Sequence, residues 1–551
     1  HLNRILDELL KNDPELKNSV RAYALRSTAV NAFVTDNGII LVSLGLIARA
    51  KNEAQLAFIL SHELCHYTEK HVMDAYLKDL ELEPLRSKYA VNNRDERFFA
   101  SAHYSREMEM VADSVAFKRM IATEYGTAGI LDVYDMLKYA HLPIYNTIFD
   151  QGFFNMEEFS IGDDLFLKEV RKPKPRDEEN SQSPTHPALK QRESVMREMM
   201  HDHKSPHARQ FVISETQFVK ARQLCRTECV GLYQIADDPV MAIYIAYTIL
   251  HHEPNNPFVN KQLGKALYTV AKAVNGGFKN DILSGFSEIE GEAQQLYHLL
   301  YMMDERGVSV LALRFLWKLK QQDPSDPDIE AMAADLLSEL ISKHHMSSPF
   351  SVPDELRRED LMLNGPTNDS LSIGPGWTER SLIPLFSDTI FLRLYTEFAT
   401  ENKSMESEPV RIEKRSKSSK RKPASTAQRS AVGAQKVVFV DPKYGRYDNR
   451  QPRKTQFRPI GAARLLYEQR IRKTADMVGL KYEMLSISSI DTIDADRFND
   501  MVFLNQWVDG RLKNMESKMV ITDRDRLNSL IEKYGTEYFV WTGLLNYREP
   551  T

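Results

Sequence analysis

Apolar positions in the first part of the chain follow two rhythms. Gly38 to Ile47 (GIILVSLGLI) is a nearly unbroken apolar run, rich in β-branched residues and leucine. It follows the turn signal Asp36-Asn37-Gly38 and predicts a strand. From Asn52 to His71 the pattern predicts one helix. Asn52 stands as its N-cap, and Leu56, Phe58, Ile59 and Leu60 form an apolar lead-in. Residues 101–120 predict a second helix. Between about 210 and 345 the periodicity is helical throughout and repeats itself. MAIYIAYTILHHEPNNP aligns with LALRFLWKLKQQDPSDP, pairing Ala242 with Ala312, Ile249 with Leu319, Pro254 with Pro324 and Pro257 with Pro327. The offset of 70 residues is close to twice a period of about 34, as in tetratricopeptide (TPR) repeats; two unrelated helix–turn–helix pairs are the alternative.

Two further segments differ in character. Residues 346–435 are rich in Ser, Pro and charge and read as a linker, partly disordered. Within it RIEKRSKSSKRK (411–422) carries seven Lys/Arg against one Glu and cannot bury enough apolar surface to fold. Residues 436–551 alternate strand and helix patterns: KVVFVDP as a buried strand, ARLLYEQRIRKTADMVGL as a helix closed by glycine, then YEMLSI, a helix around 494–512, and EYFVWTGLL. The expected organisation has a mixed α+β domain over 1–200, TPR-like helical repeats over 205–345, the linker, and a small α/β domain of open role. The fold class is multidomain and mainly α.

Composition narrows this little. A chain of 551 residues is too long for one core. A net charge of −5 argues against a nucleic-acid partner. VMAIYIAYTIL (240–250) is the strongest apolar run and is too short to span a bilayer. The chain begins at His1, which suggests a removed leader, either a signal peptide or a lipoprotein anchor, and so an exported location with membrane attachment through the missing front. Three cysteines, Cys65, Cys225 and Cys229, make no disulfide framework. Cys225 and Cys229, four apart, read as two buried small residues or as a local bridge.

The chemistry concentrates in His62-Glu63-Leu64-Cys65-His66. Residues i and i+4 share a helix face, so two imidazoles can grip one ion at about 2.0–2.1 Å. Glu63 sits about 100° round the helix, placed to deprotonate a zinc-activated water and later to protonate the leaving amine. The apolar turns before the motif imply an embedded helix, where a polar cluster needs partners or an ion. A catalytic Zn2+ also needs a third protein ligand. In the second helix, SREMEMVADSVAF, Glu109 and Asp113 share a face. Glu109 can complete the ligand set, and Asp113 can fix the tautomer of a ligand histidine. Glu107 is the rival ligand, about 200° away round the helix. Surface pairing of Glu109 and Asp113 with Arg106 or Lys118 is the other outcome.

Ser105-Arg106-x-x-Glu109-x-x-Ala112-Asp113 behind His62–His66 resembles the HtpX-type metallopeptidases, the gluzincin family that includes the CAAX prenyl endopeptidases. Asn31-Ala32-Phe33, Gly45-Leu46, the run NEAQLAFILSHELCH and His71 fit the same pattern. Thr185-His186-Pro187, with Arg192 beyond it, resembles the family's Ser/Thr-His-Pro element. That likeness implies a catalytic part for His186, as oxyanion donor or resting-state cap, and a supporting part for Arg192. The domain order resembles the exported, soluble members with C-terminal TPR repeats, which implies an envelope quality-control role. The resemblance covers about 20–195.

These features predict a soluble zinc-dependent endopeptidase acting on protein or peptide substrates, with a protein partner or unfolded client bound through the repeats. Strand 38–47 is expected to pair with substrate, and the long segment 150–184 to act as a lid. The competing expectations are a chaperone or assembly factor with a plugged protease site, and a scaffold with a vestigial metal site.

Overall fold

The computed structural model describes residues 1–70, 106–156, 159–176, 189–203, 207–235, 238–346, 377–407, 434–448, 456–459, 461–486, 489, 495–513 and 524–548. These divide into two compact units, 1–325 with 346–388, and 326–345 with 389–551.

The first unit opens with helix α1 (Leu2–Leu9) and helix α2 (Pro14–Ser19), then strands β1 (Arg21–Leu25), β2 (Ala32–Val34) and β3 (Ile39–Ser43). The sheet order is β1-β3-β2. β3 runs parallel to β1, with Ala22 opposite Ile40, and antiparallel to β2, with Phe33 opposite Leu41. The expected strand over 38–47 is thus shorter, because residues 44–47 are helical. Ser43 ends the strand and caps α3 (Leu44–Arg49), its Oγ accepting from the Leu46 N–H while donating to Ala29 O at 2.6 Å. Gly45 lets the 28–29 loop lie against the helix start, since a Cβ there would come 2.1 Å from the Thr28 carbonyl oxygen.

Helix α4 (Glu53–Thr68) is capped by Asn52, as its sequence position implies, with Oδ1 accepting from the Gln55 N–H at 3.1 Å. Every residue from Glu53 to His66 is buried, so this is a central helix with no solvent face. Leu56, Phe58 and Leu60 each contribute roughly 1.5–3 kcal/mol of burial, which offsets the cost of drawing the polar last turn inside. Around α4 pack α1, β2, α5 (Arg106–Ile121) and α6 (Ile130–Lys138). Helix α7 (Leu189–Asp202) closes the group by packing on α5 and α6.

Two polar side chains, half-buried Arg49 and buried Glu53, fasten the ends of α3 and α4. The Arg49 guanidinium donates to the carbonyls of Tyr139, Ala140, Leu142 and Pro143, which form the exit from α6. Glu53, at the first position of α4, accepts the backbone N–H groups of Val212, Ile213 and Ser214, each at 2.8 Å.

Helices α8 (Glu215–Ile235), α9 (Pro239–Leu250), α10 (Pro257–Asn275), α11 (Ala293–Met302) and α12 (Glu305–Gln322) follow. α8 packs on α3 and α9, α9 on α10 and α11, and α10 on α12. The two aligned stretches share local architecture. Pro257 and Pro327 each open a helix, behind the N-caps Asn256 and Asp326. Residues 146–156 and 159–176, which from 150 onward were read from sequence as part of a lid, run along α9 and α11; 157–158 and 177–184 lie outside the described residues. Cys225 and Cys229 are buried free thiols. Among the described residues no helix is long and apolar enough to cross a membrane.

The second unit contains α13 (Pro327–Ser342), α14 (Thr389–Ser407) and a four-stranded sheet. α14 corrects the linker expectation for its stretch: it is a 19-residue helix packed on α13, with Phe391 fully buried. The basic tract 411–422 lies outside the described residues. β4 (Lys436–Asp448) pairs antiparallel with β5 (Gln456–Pro459) and parallel with β6 (Lys481–Leu485) and β7 (Phe539–Arg548). Helices α15 (Gly461–Met477), α16 (Ala495–Lys513) and α17 (Arg524–Tyr534) alternate with the strands, as the pattern predicts for an α/β unit.

Gly45→Ala should lower the stability of the first unit by about 1–3 kcal/mol, because backbone rather than a flexible side chain stands in the way. A urea unfolding midpoint equal to wild type would mean that the 28–29 loop yields freely.

Candidate metal centre

His62 and His66 occupy the last buried turns of α4, four residues apart on one face. Their Nε2 atoms lie 3.0 Å from each other. α5 brings Glu109 across from them, its two carboxylate oxygens 3.4 Å from His62 Nε2 and 3.4 Å from His66 Nε2. The three residues are buried, and one ligand atom from each falls within 4.8 Å of the others. Glu107, the rival in sequence, is exposed. Glu63 is buried, with 1% of its surface accessible. A nitrogen, nitrogen, oxygen donor set at this spacing suits a borderline cation such as zinc. Two imidazole nitrogens and a carboxylate brought this close together inside a protein favour a cation among them.

Asp113, one helical turn beyond Glu109, holds this face in place. Its Oδ1 accepts from His62 Nδ1 at 2.9 Å and from Arg192 Nη2 at 2.8 Å. Its Oδ2 accepts from Arg192 Nε at 2.7 Å and from the Tyr134 hydroxyl at 2.9 Å. Four donors fill the four lone-pair positions of the carboxylate. The bond at Nδ1 assigns the His62 proton there and turns Nε2 towards Glu109 as a donor atom. The third Arg192 nitrogen, Nη1, meets Glu109 at 2.6 Å, so one guanidinium bridges both carboxylates and offsets one of their two charges. The sequence alternative, pairing with Arg106 or Lys118, gives way to Arg192 because the shared face of Glu109 and Asp113 points inward.

Charge states follow from these contacts. Burial would raise the Asp113 carboxyl, but the adjacent Arg192 outweighs it and holds the group well below the usual carboxylate range. Burial works against a charged Arg192 as well, and Asp113 and Glu109 more than restore it. Burial opposes a proton on His62, yet the hydrogen bonds to Asp113 and Glu109 carry its pKa up to about 10. Acidic surroundings that favour a proton on that ring favour any cation at the same place. Burial and the Asp113 charge push the Tyr134 phenol far upward, which leaves it a donor. Cys65, between the two histidines in sequence, is a buried thiol pushed up to about 12, chiefly by burial, and so is no thiolate ligand.

Of the residues singled out from sequence, the structure brings together His62, His66, Glu109, Asp113 and Arg192, with Glu63 on the same helix. His186 and His71 lie outside the described residues. Sequence reasoning missed Tyr134, which looks like any core aromatic in an amphipathic helix. It also missed Glu53 and Arg49; a glutamate opening an otherwise apolar helix was a usable signal for the first.

Helix α4 with its paired histidines, and α5 with its facing carboxylates, define a metallopeptidase-type centre. Residues 1–200 match the family model for Peptidase family M48. Over 85 residues the chain is 27% identical to the beta-barrel assembly-enhancing protease of Yersinia pestis; the match covers 15% of this chain and 18% of that protein. The likeness to HtpX-type metallopeptidases is therefore borne out at family level.

Removing the two outer groups should cost unequal amounts. Arg192→Ala strands two buried carboxylates and should destabilise the metal-free first unit by about 3–5 kcal/mol. Tyr134→Phe removes one of four donors to Asp113 and should cost about 1–2 kcal/mol. Urea unfolding in chelator measures both, and equal losses would mean that Arg192 does not carry the charge balance.

Proposed function

We propose that the chain is a zinc-dependent endopeptidase acting on proteins or peptides. The observation that carries this is the convergence of His62, His66 and Glu109 to within 4.8 Å on buried helices, beside a buried Glu63. Those three residues would hold the ion. When bound, zinc supplies the positive charge that polarises a scissile carbonyl and acidifies an attacking water.

The chain's own residues do the rest. Glu63 takes a proton from the water as the new C–O bond forms and returns it to the amine nitrogen as the C–N bond breaks. Asp113 keeps His62 in the Nδ1–H form and fixes its ring plane. Arg192 cancels the second negative charge at Asp113, which would otherwise repel Glu63 and substrate carbonyls. His186 is assigned the stabilisation of the oxyanion, on its Thr-His-Pro context.

Substrate alignment moves from β3 to β2. β3 is central, and both its sides are taken by β1 and β2. β1 has its outer side engaged at Ala22, whose backbone exchanges two hydrogen bonds with the Asn3 side chain. In β2 the bond from Ser43 N to Asn31 O sets the alternation, so Ala32 and Val34 turn their backbone groups outward, and β2 packs on α4. An extended substrate added along β2 gains backbone hydrogen bonds without much sequence preference. The Yersinia pestis relative's name, a beta-barrel assembly-enhancing protease, supports protein clients, and the domain order read from sequence supports a place in the cell envelope.

Glu63→Gln should reduce hydrolysis of a permanently unfolded protein by about 10²-fold or more while bound zinc stays at wild-type stoichiometry. His66→Ala should lose the zinc. Wild-type cleavage by the Glu63→Gln chain would overturn the assignment. Val34→Pro removes one outward N–H and should lower kcat/KM by about tenfold at unchanged zinc content. An unaltered kcat/KM would move the substrate off β2.

A further inference from the structure

Residues 167–176 (LKEVRKPKPR) form neither helix nor strand, yet their backbone is held as a bound peptide is held. Gln295, in α11, makes a two-point contact with Leu167: its Oε1 accepts the Leu167 N–H at 2.9 Å and its Nε2 donates to the Leu167 carbonyl at 2.8 Å. Gln294 Oε1 accepts the Arg171 N–H at 2.7 Å, and the Gly291 N–H donates to the Arg171 carbonyl at 2.7 Å. Glu290 accepts the Lys174 N–H at 2.9 Å. Five main-chain groups of one short segment are thus met by residues 290–295.

The side chains of the segment do not make the grip. Lys168, Glu169, Arg171, Lys172, Lys174 and Arg176 are exposed. Arg171 reaches the array by charge, at 2.9 Å from Glu288 and 3.9 Å from Glu290. A surface that binds main chain reads little sequence, while Glu288, Glu290 and Glu292 give it a preference for basic residues. The five Lys/Arg of residues 167–176 match that preference.

We propose that the edge of the helical array at 288–298 is a docking site for an extended, basic stretch of a partner polypeptide, with the chain's own residues 167–174 as its resident occupant. Tethered at both ends, the resident segment acts at an effective concentration on the order of millimolar. A partner in trans therefore engages when that segment lets go. The Arg176 N–H is bonded to Lys138 O at the end of α6, so the strap stays tethered there when residues 167–174 let go.

The test uses the full chain and a labelled synthetic peptide of sequence LKEVRKPKPR. Leu167→Pro with Arg171→Pro deletes the two N–H groups that Gln295 and Gln294 accept, and leaves those glutamines in place. The peptide should bind this variant at least tenfold more tightly than wild type. Adding Gln294→Ala and Gln295→Ala should then weaken binding by about tenfold, and a version with every Lys and Arg replaced by Glu should not bind. Equal binding to wild type and the proline variant, no binding to a proline variant whose hydrogen exchange elsewhere is unchanged, or indifference to the glutamine substitutions would each overturn the proposal. In wild type, which needs no altered strap, saturating peptide should speed exchange at the amides of Leu167, Arg171 and Lys174; unchanged rates under saturation would overturn it as well. The readout is binding, so the result stands apart from whether the chain cleaves peptides.

Discussion

Asp113 accepts hydrogen bonds from three helices besides its own: His62 on α4, Tyr134 on α6 and Arg192 on α7. A carboxylate buried this deeply survives as an anion only because Arg192 is there, and Arg192 stays charged in the interior only because two carboxylates face it. The pieces are mutually conditional. Once Asp113 is satisfied, the His62 ring has a single orientation, the Glu109 carboxylate has a fixed neighbour, and four helices share one crossing point. The metal-type centre is a by-product of that closure: two ring nitrogens and one oxygen are left pointing at the same small volume.

Much of this geometry was legible in the chain. His62 and His66 share a face by helical arithmetic alone, and Asn52 announces where the helix starts. Glu109 and Asp113 follow the same arithmetic. What periodicity could not supply was the partner of the acidic pair, because Arg192 lies 79 residues beyond Asp113 and only the fold joins them. Tyr134 was invisible for a different reason: a hydroxyl on a core ring leaves no pattern. The strand over 38–47 was overextended because an apolar run does not say where its period changes. The serine at 43 and the glycine at 45 carried that information, as a cap and as a close approach. The helix at 389–407 was lost among the polar residues around it, since half its surface is wet and its apolar face is narrow.

The strap shows how a segment without regular structure can still be specified. Its sequence reads as charged loop, and its side chains stay in water. Order comes from the other side, from glutamines and glutamates on α11 and its approach that treat main chain as ligand. Tyr244 and Tyr247 on α9 do the same upstream, at the Thr147 carbonyl and the Asp150 N–H. Reading a segment by its own composition misses this, because the determinants lie 97 to 128 residues away.

Glu53 gives the molecule a seam that does not slide. It starts the helix on which His62 and His66 sit, roughly 14 Å and 20 Å away at 1.5 Å per residue, and it clasps the three amides that lead into α8. Pulling the helical array away from that helix would break three hydrogen bonds to one carboxylate and leave the amides of residues 212–214 without their acceptor. Motion between the two is therefore disfavoured at this joint, which ties residues 212–214 to the first turn of the helix that carries the histidine pair.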